Sequence, residues 1–203
     1  MSLPRDFPPG LRVGLLGGSF NPAHPGHLAI SLAALEVLKL DRVVWLVSPQ
    51  NPLKASGDMA DYAARIEEAR KIAAHHKIIV SDFEARERLT YTIDTVARLK
   101  RRNPRTRFVL LIGADNLAQL SRWRQWNRLF EMVPVAVLAR PGYDRSALAA
   151  KAAHRYARAR QPLSSAGCLP SRRPPAWVFI STTHRDESAS AIRARGEWPR
   201  IPR

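Results

Sequence analysis

The sequence has a single cysteine, Cys168, among 203 residues. One thiol cannot form an intrachain disulfide, and a cysteine-based zinc site needs several thiolates, so both are excluded. Such sparing use of cysteine is typical of a reducing compartment. We therefore expect the protein to work in the cytoplasm.

Long apolar runs are also missing. The apolar stretch that follows the proline-rich start is interrupted by Gly17, Gly18 and Asn21. It is too short for a helix that crosses a bilayer, and its glycines do not suit the apolar core of a signal peptide. We expect neither a membrane span nor a signal peptide.

Acidic residues are scarce relative to basic ones. The chain has 17 Asp and Glu against 33 Lys and Arg, which gives a formal net charge of +16. This excess favours anionic partners, either phosphates or nucleic acid. Because most of it is arginine, a bias that a GC-rich genome also produces, the charge alone selects no function.

Strand-length apolar runs alternate with stretches of helical period. This alternation predicts an α/β fold with a doubly wound, mostly parallel sheet, and the length and the 45% hydrophobic content suit a single domain. The predicted strands are 13–16, 43–47, 78–80, 108–112, 133–139 and 178–180. The predicted helices are 26–38, 58–75, 91–102, one or two within 116–130, 147–160 and 188–195.

The ends and one basic segment are set apart from this pattern. We expect a flexible N-terminal extension over residues 1–11, the domain over 12–198 and a tail over 199–203. Residues 145–173 contain seven Arg or Lys and no acid. We interpret that segment as a helix followed by a mobile surface loop.

A glycine-rich corner follows the first predicted strand. Gly17 and Gly18 end that strand, and Gly26 opens the first helix. Glycine lets the backbone approach a ligand because it has no Cβ and tolerates positive φ. The free amide groups at the helix start point to the same place, so the corner is predicted to bind an anion.

Two histidines, His24 and His27, lie three residues apart across this helix start. Each ring is able to donate a hydrogen bond to a phosphoryl oxygen. The spacing also suits a metal ion, but the sequence shows no third ligand, and a single histidine here is often a cap or a surface residue. The corner has neither Gly-x-Gly-x-x-Gly nor a P-loop lysine, which excludes those two nucleotide sites.

The run Gly-Gly-Ser-Phe-Asn-Pro-Ala-His-Pro-Gly-His at 17–27 resembles the motif of nucleotidyltransferases with a His-x-Gly-His signature. Within that family the chain is most similar to bacterial enzymes that act on nicotinic acid mononucleotide. The resemblance extends over residues 14–196. It includes further motifs at 90–95, 113–116, 123, 139–143 and 188–193.

The resemblance implies a Rossmann-like nucleotidyltransferase domain whose substrates are ATP and nicotinic acid mononucleotide. The implied reaction transfers AMP from ATP to the mononucleotide and yields the deamido dinucleotide and pyrophosphate, with Mg²⁺ on the phosphates. No protein ligand for the metal is implied. The acceptor phosphate is mostly dianionic near neutral pH, since its second pKa is about 6, so it needs no general base. The enzyme aligns two anions and neutralises charge on the α-phosphoryl group and on pyrophosphate.

The resemblance also implies which residues carry each role. The implied catalytic residues are His24, His27 and Arg193. The implied ATP-binding residues are Gly17, Gly18, Ser19, Phe20, His24, His27, Asp115, Ser188, Ser190, Ile192 and Arg193. The implied nicotinate-nucleotide-binding residues are Lys54, Tyr91, Thr92, Asp115, Trp123 and Arg124, with the indole of Trp123 stacked on the nicotinate ring.

Several of these residues have simpler interpretations. Asp115 and the serines at 188–190 also suit helix N-caps. Lys54 also suits an ordinary surface position. Trp126, three residues after Trp123, is an alternative stacking residue, although a tryptophan at helical spacing more often lies in the core.

Two other functions remain open at this point. One keeps the chemistry and changes the acceptor to nicotinamide mononucleotide or pantetheine phosphate. The other is a basic nucleic-acid-binding module, suggested by the net charge and by segment 145–173. The 7% aromatic content and the lack of a standard nucleic-acid motif disfavour the module.

Overall fold

The computed structural model describes residues 7–49, 59–139, 147–181 and 192. These residues form a seven-stranded sheet in which every paired strand is parallel, with helices against both faces. The sheet order is β3-β2-β1-β4-β5-β7-β6. The predicted doubly wound α/β fold is confirmed.

The strands start and end close to their predicted positions. They are β1 (Arg12–Gly18), β2 (Arg42–Val47), β3 (Ile78–Ser81), β4 (Arg107–Gly113), β5 (Val135–Ala139), β6 (Arg160–Gln161) and β7 (Trp177–Ser181). The two outermost strands are short, with four residues in β3 and two in β6. The sequence pattern did not predict β6.

The helices are mostly shorter than predicted. They are α1 (Pro25–Val37), α2 (Tyr62–Ile72), α3 (Phe83–Arg86), α4 (Thr92–Arg102), α5 (Ala114–Gln119), α6 (Trp126–Met132) and α7 (Lys151–Arg155). Three 3-10 segments cover Leu120–Arg122, Ala157–Ala159 and Leu163–Ser171. Among the described residues, no helix is both long and apolar enough to cross a membrane.

The central strands are apolar on both faces because each face is covered by helices. Val13 and Leu15 of β1 point into the core that contains α4, α5 and α6. Leu16 points into the opposite core, which contains α1 and α2. Between them, a Cβ at Gly14 would lie 2.8 Å from side-chain atoms of Leu111 and Leu40, so this strand position packs tightly without a side chain.

The sheet changes its direction of winding at β1. From β1 the chain adds β2 and then β3 on one side, and β4 and then β5 on the other. In open α/β sheets, ligands bind at such a switch point, beyond the carboxyl ends of the strands. Here the carboxyl ends of β1 and β4 carry Gly18 and Gly113 on neighbouring strands.

The prediction for the basic segment is corrected in two places. The predicted helix over 147–160 is divided into α7, a 3-10 turn and β6. The predicted mobile loop is instead the 3-10 segment Leu163–Ser171. Its residues Ala166 and Leu169 are buried, which shows that the segment packs against the sheet. The small and apolar residues of this segment do not recur at helical spacing, so the sequence pattern did not indicate a helix here.

The N-terminal extension also differs from expectation where it is described. Phe7 is buried, its ring packs edge-on against Phe108, and its amide donates to Asn103 Oδ1 at 2.9 Å. This residue is therefore part of the core. Of the predicted last helix, 188–195, only Ile192 is described, and it is helical.

Candidate active site

The glycine corner lies directly beyond the carboxyl end of β1. Gly17 is exposed, Gly18 and Ser19 are half-buried, and α1 begins at Pro25. A Cβ at Gly17 would have no atom of the described residues within 4 Å, its chain neighbours aside, so the backbone there is open among these residues. This arrangement gives a ligand direct access to the main chain.

One detail of the corner differs from the prediction. The left-handed backbone falls on Phe20, with φ +45°, and neither Gly17 nor Gly18 has positive φ. A non-glycine residue adopts this region at a cost, so contacts nearby must stabilise it. Phe20 as a whole residue is 2% exposed, and its ring stacks on Trp45 with ring centroids 5.0 Å apart. The Phe20 side chain therefore packs beneath the corner and is not available to a ligand.

The structure brings His24 and His27 together. Their ring centroids are 3.9 Å apart, His24 is buried at the N-cap of α1, and His27 is half-buried one turn later. The His24 amide donates to His27 Nδ1 at 3.2 Å. Because Nδ1 accepts, the neutral ring of His27 carries its proton on Nε2, the nitrogen that is able to donate to an anion.

A short chain of hydrogen bonds supports His27 from below. The Ser31 hydroxyl donates to the His27 carbonyl at 2.7 Å, and the Trp45 indole donates to that hydroxyl at 2.8 Å. The rings of Phe20 and Trp45 lie 4.7 and 5.8 Å from the His27 ring. Residues of α1, β2 and the corner together orient this imidazole.

Asp115 lies at the same edge of the sheet, beyond β4. It is exposed in the first turn of α5, whose N-cap is Gly113. Asp115 is therefore not the N-cap that we considered as an alternative. A Cβ at Gly113 would overlap the Asp115 carboxylate, so the absence of a side chain there lets this carboxylate fold back over the strand end.

A second group of predicted residues gathers at the start of α4. Tyr91 is the N-cap of α4 and Thr92 its first residue, and the Arg124 guanidinium lies 4.7 Å from the Tyr91 ring centroid. Trp123 precedes Arg124 and is half-buried. Trp126 is half-buried like Trp123, both side chains pack against the same core, and the Trp126 ring lies edge-on to Tyr156 with ring centroids 6.1 Å apart.

The remaining predicted site residues lie outside the described part of the chain. These are Lys54, Ser188, Ser190 and Arg193. Ile192 is described only as helical and half-buried. Among the described residues, no cluster of three or more His, Cys, Asp or Glu side chains is arranged to hold a metal ion.

Sequence reasoning missed a buried arginine beside the corner. Arg65 of α2 is 1% exposed, and its guanidinium donates to the main-chain carbonyls of Ser19 and Ser48, among others. The available signal was its helical position, four residues before the buried Ala69 and thus on the core face of α2. An arginine on a buried face is uncommon unless its donors are satisfied.

A buried carboxyl was missed as well. Glu84 of α3 is 7% exposed and accepts hydrogen bonds from Thr95 Oγ1, at 2.9 Å, and from the Ser48 side chain. Burial raises the pKa of Glu84 to about 7, while the two hydrogen bonds act in the opposite direction. Thr95 also donates to the Tyr91 carbonyl, so Glu84 connects the end of β2 to the start of α4.

The candidate site therefore lies at the switch point of a parallel α/β sheet, with an open glycine corner and two imidazoles in contact, tilted by 45° to each other. The cytidylyltransferase-like family model matches residues 15–195. A "Probable nicotinate-nucleotide adenylyltransferase" of Parvibaculum lavamentivorans is 48% identical over 190 residues, 94% of each chain. One of Cereibacter sphaeroides is 50% identical over 186 residues, 92% of this chain and 98% of the relative.

Solved structures agree on the fold. The nicotinic acid mononucleotide adenylyltransferase of Plasmodium falciparum, complexed with NaAD, matches with a TM-score of 0.68 at 16% identity over 91% of this chain and 83% of that one. The chain belongs to the cytidylyltransferase-like family. Within it, the chain belongs to the family of the nicotinate-nucleotide adenylyltransferases.

Proposed function

We propose that the protein transfers AMP from ATP to nicotinic acid mononucleotide. The observation that carries this proposal is the pair His24 and His27, whose rings are in contact at an open glycine corner after β1, while Asp115 follows the neighbouring strand β4. The relatives at 48% and 50% identity support the choice of substrates by their names.

The chemistry needs no covalent intermediate. A phosphate oxygen of the mononucleotide attacks the α-phosphorus of ATP, the bond from that phosphorus to the bridging oxygen breaks, and pyrophosphate leaves with the electron pair. The products are the deamido dinucleotide and pyrophosphate. The acceptor is already an anion near neutral pH, so no proton has to be removed before the attack.

His27 is the main donor to the α-phosphoryl group in this proposal. Its ring accepts a hydrogen bond from the His24 amide and packs against the rings of Phe20 and Trp45, while Ser31 binds its main-chain carbonyl. An imidazole held in this way loses little entropy when it binds the charge that develops in the transition state. His24 lines the inner wall of the same corner, and the amide groups of the corner bind phosphate oxygens.

The adjoining strand ends hold the two nucleotides. Asp115 accepts hydrogen bonds from a ribose, as its exposed carboxylate beyond β4 allows. Trp123 stacks on the nicotinate ring next to Tyr91, and Arg124 contributes a positive charge at the same place. Lys54, Thr92, Ser188, Ser190, Ile192 and Arg193 complete the proposed set of binding residues, with Arg193 on the β- and γ-phosphates.

Mg²⁺ would enter with ATP rather than occupy a cage of protein ligands. The described residues offer no group of three ligands, and Mg²⁺ commonly takes its oxygens from substrate phosphates and water. When bound, it would neutralise negative charge on the phosphates of ATP.

The test is synthesis by the purified protein with ATP, MgCl₂ and one acceptor at a time. We expect pyrophosphate and deamido dinucleotide in equal amounts from nicotinic acid mononucleotide. A higher kcat/KM for nicotinamide mononucleotide or pantetheine phosphate would overturn the choice of acceptor. Salt-sensitive binding of nucleic acid without any pyrophosphate release would favour the nucleic-acid-binding module instead.

A further inference from the structure

Arg65 holds the ends of two neighbouring strands with one side chain. Its Nη1 donates to the carbonyls of Ser19, at 2.6 Å, and Ser48, at 2.8 Å. Its Nη2 donates to the Pro49 carbonyl at 2.9 Å, and its Nε to the Ala60 carbonyl at 3.1 Å. The guanidinium thus connects the corner after β1, the end of β2 and the residues before α2.

No carboxylate forms an ion pair with Arg65 in the part of the chain that the structure describes. Burial lowers the pKa of this guanidinium from its ordinary value, yet arginine stays charged at neutral pH. Tyr62 packs against it, with the guanidinium carbon 5.1 Å from the ring centroid. A buried charge whose partners are carbonyls is costly, so stability alone is a weak reason for its presence.

The contact with Ser19 has a consequence on the other side of the peptide. The Ser19–Phe20 peptide bond is trans, since the cis bonds of the described residues lie elsewhere. In a trans peptide the C=O and N–H groups point in opposite directions within one plane. When Arg65 holds the Ser19 oxygen, it also sets the direction of the Phe20 N–H and polarises it as a donor.

The same contact explains the backbone of Phe20. This residue has φ +45°, a conformation that must be stabilised from outside. Its ring is held by Trp45, its preceding carbonyl by Arg65, and the following Asn21 by the amide of Ala60, which donates to Asn21 Oδ1 at 3.1 Å. Arg65 binds the carbonyl of that same Ala60, so the corner is fixed through both routes.

We propose that Arg65 is a positioning residue for AMP transfer: its guanidinium fixes the Ser19–Phe20 peptide and, through it, the glycine corner against which the phosphates of ATP bind. This inference rests on the proposed function, because it assigns ATP to the glycine corner. Lysine does not replace arginine here. The single amino nitrogen of lysine cannot replace the planar guanidinium, whose N–H groups reach carbonyls in three segments of the chain.

The test compares Arg65→Met and Arg65→Lys with two variants of the same helix. Ile66→Ala removes a buried neighbour and weakens packing without touching the carbonyls, and Arg70→Met removes an exposed guanidinium. For each variant we measure thermal unfolding, and kcat and KM for ATP per active site, counted by titration with a tight nucleotide ligand.

We expect Arg65→Met to lower kcat by about 100-fold with a smaller change in the KM for ATP, since a displacement of about 1 Å in a catalytic group has an effect of that size. Arg65→Lys should lose about tenfold. Ile66→Ala should unfold at a lower temperature and keep its kcat within twofold, and Arg70→Met should match the wild type.

Two results would overturn the proposal. One is a kcat within twofold of the wild type for Arg65→Met, or for Arg65→Lys if the Met variant does not fold. The other is an equal loss of kcat in Ile66→Ala, which would make the effect one of packing. A wild-type protein that makes no dinucleotide would instead contradict the proposed function, and the two failures are therefore distinguishable.

Discussion

The indole Nε1 of Trp45 donates a 2.8 Å hydrogen bond to the hydroxyl of Ser31. This bond joins β2 to α1 inside the core. The Ser31 hydroxyl donates in turn to the main-chain carbonyl of His27. The main chain of His27, whose imidazole is the proposed catalytic group, is therefore attached to the sheet through a buried polar link. Such links are costly when broken, because the partner that remains keeps an unsatisfied group.

Trp45→Phe should destabilise the protein by about 1 kcal/mol, because it removes the donor and keeps an aromatic ring against Phe20. Urea denaturation measures the change. Ser31→Ala is the matched partner, and the double variant should cost about 0.5 to 1.5 kcal/mol less than the sum of the two single variants. Strict additivity would show that the bond contributes nothing.

His27→Ala should lower kcat by about 10²- to 10³-fold and leave the KM for ATP nearly unchanged, since its proposed bond strengthens as charge develops on the phosphoryl group. Steady-state kinetics at saturating acceptor measures this split. His76→Ala, at an exposed histidine in the turn between α2 and β3, serves as the control. Unchanged turnover would remove His27 from the catalytic residues.

Gly17→Ala should leave the free energy of unfolding unchanged and weaken ATP binding by about tenfold, which is ~1.4 kcal/mol. The new methyl group would enter the space beside the corner, where no described residue other than the chain neighbours lies within 4 Å. Gly14→Ala is the opposite case, because its methyl group would meet Leu111 and Leu40 at 2.8 Å. Calorimetric titration and thermal unfolding distinguish the two. Full ATP affinity in Gly17→Ala would place the phosphates elsewhere.

Trp123→Ala should raise the KM for nicotinic acid mononucleotide by about tenfold, since stacking of an aromatic side chain on a base contributes about 1 to 3 kcal/mol. Trp126→Ala should instead lower stability, because that ring packs on Tyr156. Measurement of both KM values decides between them. A change confined to the KM for ATP would show that the assignment of Trp123 is wrong.

Glu84→Gln should change how stability depends on pH. Burial raises the pKa of Glu84 from 4.5 to about 7, so the folded state binds this proton more tightly than the unfolded state. The contribution to stability is present at low pH and is lost as the pH rises from about 4.5 through about 7. The Gln variant has no such loss. Its free energy of unfolding, relative to that of the wild type, should therefore increase by up to about 3 kcal/mol between pH 4.5 and pH 8.

Chemical denaturation across that pH range measures the gain of the Gln variant. Glu67→Gln, on the exposed face of α2, is the control, since its carboxylate is solvent-exposed and pairs with Lys71 of the same helix. Parallel curves for the wild type and Glu84→Gln would show that the buried carboxyl does not titrate in this range.

The sheet was predictable because most of its strands are continuous apolar runs in the sequence. β1, β4 and β5 are buried on both faces, and such strands read as continuous hydrophobic segments. The two-residue β6 and the 3-10 segment at 163–171 carry no such signal. Their conformation depends on contacts with β7 and the core rather than on local pattern.

The glycine corner and its two histidines were the part of the candidate site that the sequence predicted. The glycines and histidines at 17–27 have a spacing that favours anion binding, and the structure brings His24 and His27 into contact. The supporting residues were not predictable in the same way. Arg65 and Glu84 act across 46 and 11 residues of chain, on Ser19 and Thr95, and long-range hydrogen bonds leave no trace in local composition.

The shortness of the outermost strands bears on how the molecule behaves in a crowded solution. A foreign polypeptide extends a sheet by docking on a long free border of amide and carbonyl groups. With four residues at one border and two at the other, the described part of the sheet offers little free backbone for such an addition. Short border strands of this kind disfavour edge-to-edge association independently of the excess positive charge.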